Sequence, residues 1–244
     1  NYLAHLEQLG VRVVNGLAAF RTETSKALQL SLLKSLNLPF PAARVIHHPD
    51  SAPAAAQGLR FPVVVKANIG GSGAGIVRYD RPEDLERAVK EGRVKLGVDE
   101  TALVQEFIPA RGGRITRVEV LGYEYLYAIN VYSSGESFNL CPADICQSTD
   151  GVELARGACP VDAPKNNLRV ERADPDPEII ADVERIMRAA DIEIGGVEYM
   201  IDDRDGQRYY YDINALSNFV ADAPRVIGFD PFQRLADYLE KEAR

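Results

Sequence analysis

No stretch of this 244-residue sequence approaches the roughly 18 to 20 consecutive apolar residues that a bilayer span requires. The N-terminus also lacks the charged-then-apolar layout of a signal peptide. The expectation is a cytoplasmic protein with no membrane partner. An excess of positive charge is missing as well: 36 acidic residues stand against 28 basic ones, for a net charge of -8. Without a basic footprint for a polyanion, nucleic acid is not an expected partner. The three cysteines, Cys141, Cys146 and Cys159, form no CxxC pair and have no histidine nearby, so a structural zinc site is not indicated. The three histidines are equally unsuited to a metal, two of them being adjacent in the loop-like segment HHPDSAP. Internal repeats and low-complexity tracts are absent.

What is present reads as an alternation of short strands and amphipathic helices. Tyr2, Leu3, Leu6 and Leu9 recur at helical spacing, and VRVVN after them reads as a short strand, as if closing an α/β unit whose beginning is missing. Thr22 or Thr24 can cap a helix running to about Leu36, with Lys26 in its first turns and an apolar stripe of Leu28, Leu32, Leu33 and Leu36. FPVVVKANI is a β-branched run that leads directly into a glycine-rich loop at residues 70–75. RPEDLERAVKEGRVKLG predicts a helix, TALVQEFIP a strand, and ITRVEVLG with YEYLYAINVY an antiparallel pair. The stretch from about Ser133 to Pro175 reads as irregular; DPEIIADVERIMRAA and DPFQRLADYLEKEA read as helices. Two α+β subdomains meeting near Pro109 are the simplest architecture.

The strongest chemical pattern lies in GVEYMIDDRDGQRYYYDIN. A three-residue loop, Arg204-Asp205-Gly206, with Gly206 left-handed, pairs Asp203 with Gln207 and therefore sets Glu198 opposite Asp212. Side chains alternate along a strand, so Asn214 shares the face of Asp212. Two carboxylates and an amide oxygen on one face make a site for a hard divalent cation, whose charge relieves the repulsion between the acids. A two-residue loop would put the acids on opposite faces. Lys66 ends a buried strand just before Gly70, Gly71, Ser72, Gly73, Ala74 and Gly75. A lysine beside a loop of bare backbone N–H groups suits phosphate oxygens, although no GK[ST] follows as it would in a P-loop. Arg156, Lys165, Asn166, Asn167 and Arg169 read as a solvated charged loop or as an anionic-substrate contact.

In their order and intervals, TSKALQLSLLKSLNLPFP, VVVKANIGGSGAG, LVQEFIP and YYYDIN resemble the ATP-grasp superfamily of carboxylate-amine ligases, the branch of glutathione synthetase, D-alanine:D-alanine ligase and the α-L-glutamate ligases. The resemblance implies an α+β ATP-grasp fold in which two subdomains clamp the nucleotide. It divides the chain into residues 1–20, the tail of an N-terminal α/β domain; 21–40, a helical connection with the first lysine; and subdomains 41–109 and 110–244. It implies ATP with Mg²⁺ or Mn²⁺ as cofactors, with Lys26, Lys66, Gly71, Ser72 and Gly73 on the nucleotide. Gln105, Glu106, Phe107 and Ile108 are then the segment that reads adenine, Glu198, Asp212 and Asn214 the metal ligands, and Arg117, with Lys66, a catalytic cation. The implied activity is ADP-forming ligation, in which a small-molecule or peptide carboxylate is activated as an acyl phosphate and coupled to an amine. The alternatives are a nucleotide-binding protein without turnover and a phosphotransferase on the same scaffold. Homo-oligomers are common in the family.

Departures from the family pattern are specific. Ile115 stands where an acid contacts ribose, Asn130 where a second arginine is expected, and Ser25 where an aspartate precedes the first lysine. ALSNF replaces a Ser-Pro-Gly turn after Asn214, and Phe138 precedes Asn139 where glutamate ligases have a basic residue.

Overall fold

The structure, a computed structural model, describes residues 2–70, 75–132, 146–147, 169–215, 217 and 219–243. Two five-stranded sheets organise them. The first has the order β1 (Ala43–Ile46), β4 (Ala102–Glu106), β2 (Val63–Ala67), β3 (Ile76–Tyr79) and β7 (Cys146–Gln147). All its pairings are antiparallel except the short one between β3 and β7. The second sheet is wholly antiparallel, in the order β10 (Arg208–Asn214), β9 (Ile194–Asp202), β5 (Ala110–Leu121), β6 (Glu124–Tyr132) and β8 (Arg169–Ala173).

Each sheet buries one face under helices. Val63, Val65, Ala102 and Val104 of the first sheet pack on α4 (Ala52–Ala56) and α5 (Pro82–Lys90), where Ala52, Leu85 and Ala88 are fully buried. In the second sheet Val118, Ala128, Val197, Tyr210 and Ile213 pack on α3 (Lys26–Ser35) and α6 (Pro177–Ala190). Strand parity then assigns Val64, Lys66, Leu103 and Gln105 to the uncovered face of the first sheet, and Arg117, Glu119 and Glu198 to the opposite face of the second. A satellite core of Ile108, Ile115, Tyr127, Ile129, Met200, Phe219 and Val220 extends that second face towards the connection between the sheets.

Several local expectations change. VRVVN forms no strand; Arg12 instead reaches Glu193 and Glu242 through ion pairs. The helix expected from Thr22 or Thr24 to about Leu36 is α3, capped by Ser25 rather than by a threonine, and a further helix, α2 (Leu17–Thr24), precedes it, with Ser25 between the two in extended conformation. The Ser25 hydroxyl accepts from Leu28 N–H and so caps α3, which places Lys26 at the first helical position. The turn-rich ARGG segment lies inside β5, and β7 and β8 fall within the stretch read as irregular. The sequence reading also omitted α7 (Ala223–Ile227) before the last helix, α8 (Pro231–Glu242). Among the described residues no helix is long and apolar enough to cross a membrane.

Candidate nucleotide and metal site

The hairpin of β9 and β10 pairs Asp212 with Glu198, but not through the turn anticipated from the sequence. The loop has four residues, 203–206, closed by Asp202 N–H to Gln207 O at 2.8 Å and Gly206 N–H to Asp202 O at 2.9 Å. Gly206 is left-handed, at φ 77°. With that turn and regular pairing, Glu198 would face Tyr211. A bulge between Tyr210 and Asp212 inserts one residue and restores the Glu198–Asp212 pair.

Around this pair the second sheet assembles a buried ionic cluster. Arg117 lies across from Glu198, and its Nη1 donates to Glu198 Oε1 at 3.2 Å, while Nε donates to Glu119 Oε1. Arg117, Glu119 and Glu198 are 4%, 1% and 2% exposed. Tyr211, the bulged residue, donates its hydroxyl to Glu198 Oε2 at 2.6 Å. Ser217 donates to Glu119 Oε2, and Asn214 Nδ2 donates to Asp212 Oδ2 at 3.2 Å. Gly196, opposite Glu119, suits this crowding: a Cβ there would sit 3.0 Å from the Glu119 carboxyl carbon and 3.1 Å from Arg117 Nε, so that pair would have to give by a few tenths of an ångström.

Burial, and then the neighbouring Asp212 charge, push the Glu198 carboxyl up to about 7 against the opposing pull of Arg117 and Tyr211. Burial alone would lower the Arg117 guanidinium, but Glu119 and Glu198 outweigh it and hold the group above its usual range. Arg117 Nη2 is buried and has no hydrogen-bond partner among the described residues. Glu23, at the end of α2, is a further acid here; half-burial and Asp212 raise its pKa, while Arg117, Ala215 N–H and Lys26 pull it down.

Charge and donor chemistry both fit a divalent cation. With every acid ionised, as above pH 8, Glu119, Glu198 and Asp212 set three negative charges against the one of Arg117, and Glu23 stands beside Lys26, leaving an excess of two. The donors are oxygens, as Mg²⁺ and Mn²⁺ prefer. Among the described residues no three His, Cys, Asp or Glu side chains by themselves form a metal-holding group, so a cation here would need oxygens beyond those of the acids.

The other expected residues lie on the first sheet and its junction with α3. Lys66 is on β2, paired with Leu103 and 8% exposed. Two residues on, the Asn68 side chain accepts from Ala27 N–H at 2.9 Å and the Ser25 hydroxyl at 3.1 Å. Lys26 donates from Nζ to Gly70 O at 2.7 Å and from its backbone N–H to Asn68 O. The first lysine is thus tied to the start of the glycine-rich loop; Gly71, Ser72 and Gly73 lie outside the described residues.

In the connecting segment, the Glu106 and Phe107 N–H groups donate to Ala42 O and Pro62 O. The Ile108 N–H has no acceptor among the described residues. The Glu106 carboxylate accepts from Arg60 N–H at 2.8 Å and Arg60 Nε at 3.1 Å, on the helix-covered side. Its side chain therefore anchors the segment from behind, whereas Gln105 is on the uncovered face. Ile115 packs with Ile108 and Met200 and makes this end of the site apolar. Asn130 does not occupy a place in the cluster: it accepts from Thr116 Oγ1 at 2.8 Å, on the face opposite Arg117, and Ile129 is the residue beside that arginine. Asn139, Arg156, Lys165, Asn166 and Asn167 lie outside the described residues.

Sequence reasoning missed Glu119, Tyr211, Ser217, Glu23 and Gln29. Parity could have found Glu119, because it alternates with buried Val118 and Val120 and must share the face of Arg117. Tyr211 depends on a bulge that no residue pattern announces.

Two helix-backed antiparallel sheets, with Lys66 on one, Lys26 on the helix between them and an oxygen cluster on the other, make the fold that of the ATP-grasp ligases of known structure. Residues 23–140 are similar to the model of the RimK-like ATP-grasp domain. A carbamoyl phosphate synthase arginine-specific large chain from Lactiplantibacillus plantarum is 26% identical over 164 residues, or 63% of this chain and 16% of the relative. A probable alpha-L-glutamate ligase from Pseudomonas putida is 29% identical over 121 residues, 49% of this chain and 39% of that protein. The chain thus spans well under half the length of these curated relatives. Among solved structures, the ATP-grasp ligase PsnB complexed with minimal precursor superposes with a TM-score of 0.69 at 18% identity, covering 99% of this chain and 67% of that one. A second PsnB structure, with minimal precursor, Mg and ADP, gives 0.67 at the same identity, covering 99% and 65%.

Proposed function

We propose that the chain binds Mg-ATP between its two sheets and transfers the γ-phosphoryl group to a substrate carboxylate, which an amine then attacks to form an amide. The observation that carries this reading is the buried, unpartnered Arg117 Nη2 beside the Glu198–Asp212–Asn214 oxygen set. A cation donor held without an acceptor next to an excess of negative charge suits a site completed by a metal and phosphate oxygens.

Glu198, Asp212 and Asn214 would hold the metal, and Glu119 and Tyr211 would fix Arg117 and Glu198 around it. When bound, Mg²⁺ neutralises phosphate charge and orients the transferring group. Lys26 and Lys66 hold phosphate oxygens, and the backbone at Gln105 to Ile108 reads adenine, with Ile108 N–H as the donor. Ile115 supplies an apolar wall in place of an acidic ribose partner. Arg117 stabilises the charge that develops on the transferred phosphoryl oxygens and then on the acyl phosphate. Attack by the amine releases phosphate, leaving ADP and an amide, with no covalent enzyme intermediate. Names such as alpha-L-glutamate ligase and PsnB with its precursor favour an amino acid or peptide as the carboxylate or the acceptor.

Phosphate release from ATP, measured with mixed amino acids and peptides, tests the reading. Release that requires both a carboxylate and an amine, with ADP as the nucleotide product, is expected. A stable phosphorylated acceptor would indicate a phosphotransferase, and nucleotide binding without turnover would make the chain a binder.

A further inference from the structure

Strand β10 is an edge strand of the second sheet, so Ile213, between its two expected metal ligands, has backbone groups with no neighbouring strand. Gln29, 2% exposed on α3, takes that neighbour's place. Its Oε1 accepts from Ile213 N–H at 3.2 Å and its Nε2 donates to Ile213 O at 2.9 Å, the two bonds a paired strand residue would make. The same Nε2 reaches Thr22 O at 3.1 Å and Glu23 O at 3.2 Å, at the end of α2. One helical turn earlier, Lys26 and Ala27 are bonded to Gly70 and Asn68, in the loop that follows β2 of the first sheet. The first turn of α3 therefore spans the two sheets, with a phosphate-type lysine at one end and the Asp212–Asn214 strand at the other.

From this geometry we infer that Gln29 is a positioning residue, one that fixes Asp212 and Asn214 at a set distance from Lys26 so that metal and nucleotide are bound together. A buried side-chain amide that merely filled space would be replaceable by an apolar residue; this one saturates a backbone pair that would otherwise be buried without partners, inside the metal-binding segment. Losing it frees β10 to shift while the β9 pairing, and hence the fold, persists.

The inference rests on the Mg-ATP reading, and its test separates the two. Binding of a non-hydrolysable ATP analogue is measured by calorimetry across a Mg²⁺ titration and in EDTA, for the wild type, Gln29→Met and Gln29→Asn. Each variant is assayed at a temperature where circular dichroism shows it folded. The expected result is that half-saturating Mg²⁺ rises at least tenfold in both variants while affinity in EDTA changes less than twofold. An unchanged Mg²⁺ requirement in either folded variant, or equal weakening with and without Mg²⁺, overturns the role of Gln29 and leaves the nucleotide reading standing. A wild type whose nucleotide binding ignores Mg²⁺ overturns both.

Discussion

Acidifying the metal-free protein should weaken its divalent-cation affinity in a way the Glu198 environment sets. Its carboxyl is raised to about 7, first by burial and then by Asp212, and a cation needs the ionised form. The apparent dissociation constant then carries a factor of 1 + 10^(7 − pH): about 2 at pH 7, about 11 at pH 6 and about 30 at pH 5.5, with a plateau above about pH 8. The groups facing Glu198 oppose one another, Asp212 raising it and Arg117 and Tyr211 lowering it. Stability runs the other way. An acid whose folded pKa lies above its ordinary value of 4.5 stabilises the metal-free fold below that value, and the contribution is lost as pH rises from about 4.5 to about 7. The shift corresponds to about 3 kcal/mol for this fully buried group. Mn²⁺ titrations followed by electron paramagnetic resonance from pH 5.5 to 8.5, paired with thermal melts with and without Mg²⁺, measure both effects. Cation affinity that stays flat between pH 6 and 8 would show that Glu198 does not ionise on binding, and would refute its assignment as a ligand.

Other perturbations have equally definite outcomes. Arg117→Met strands two buried carboxylates and should cost about 3 to 5 kcal/mol in urea unfolding at neutral pH, with Glu119→Leu in the same chain recovering part of the loss. Gly196→Ala should push the Arg117–Glu119 pair out of place and lower turnover at least tenfold while circular dichroism is unchanged; wild-type turnover would mean that the pair's geometry is not needed. Lys66→Ala should weaken ATP binding about tenfold, the order expected for losing one charge-assisted phosphate contact, as read by calorimetry.

Legibility in the sequence followed how local each determinant is. Lys66 and its strand were readable because a β-branched run bounded by Pro62 and Gly70 has few alternatives. The Glu198–Asp212 pair was readable only because two departures compensate: a turn one residue longer than expected and a bulge at Tyr211. The part of Gln29 was hidden because its partner Ile213 is 184 residues away, and the cap at Ser25 because Asn68, which bonds its hydroxyl and Ala27 N–H, is distant in sequence. Asn130 looked like a lost arginine because spacing was compared without parity; its bond to Thr116 places it on the other face of the sheet. The role of Glu106 was hidden for a related reason, its partner Arg60 being 46 residues away.

The central claim, that the Arg117 cluster together with Lys26 and Lys66 binds Mg-ATP, is tested most directly by nucleotide binding to Asp212→Asn. Asp212 faces Glu198 across the hairpin, and the substitution removes one charge from the proposed metal ligands while keeping their shape. Calorimetry with a non-hydrolysable ATP analogue should show Mg²⁺ strengthening binding to the wild type at least tenfold, and little or no strengthening in a variant that melts within a few degrees of it. Equal Mg²⁺ enhancement in the two proteins would contradict the account.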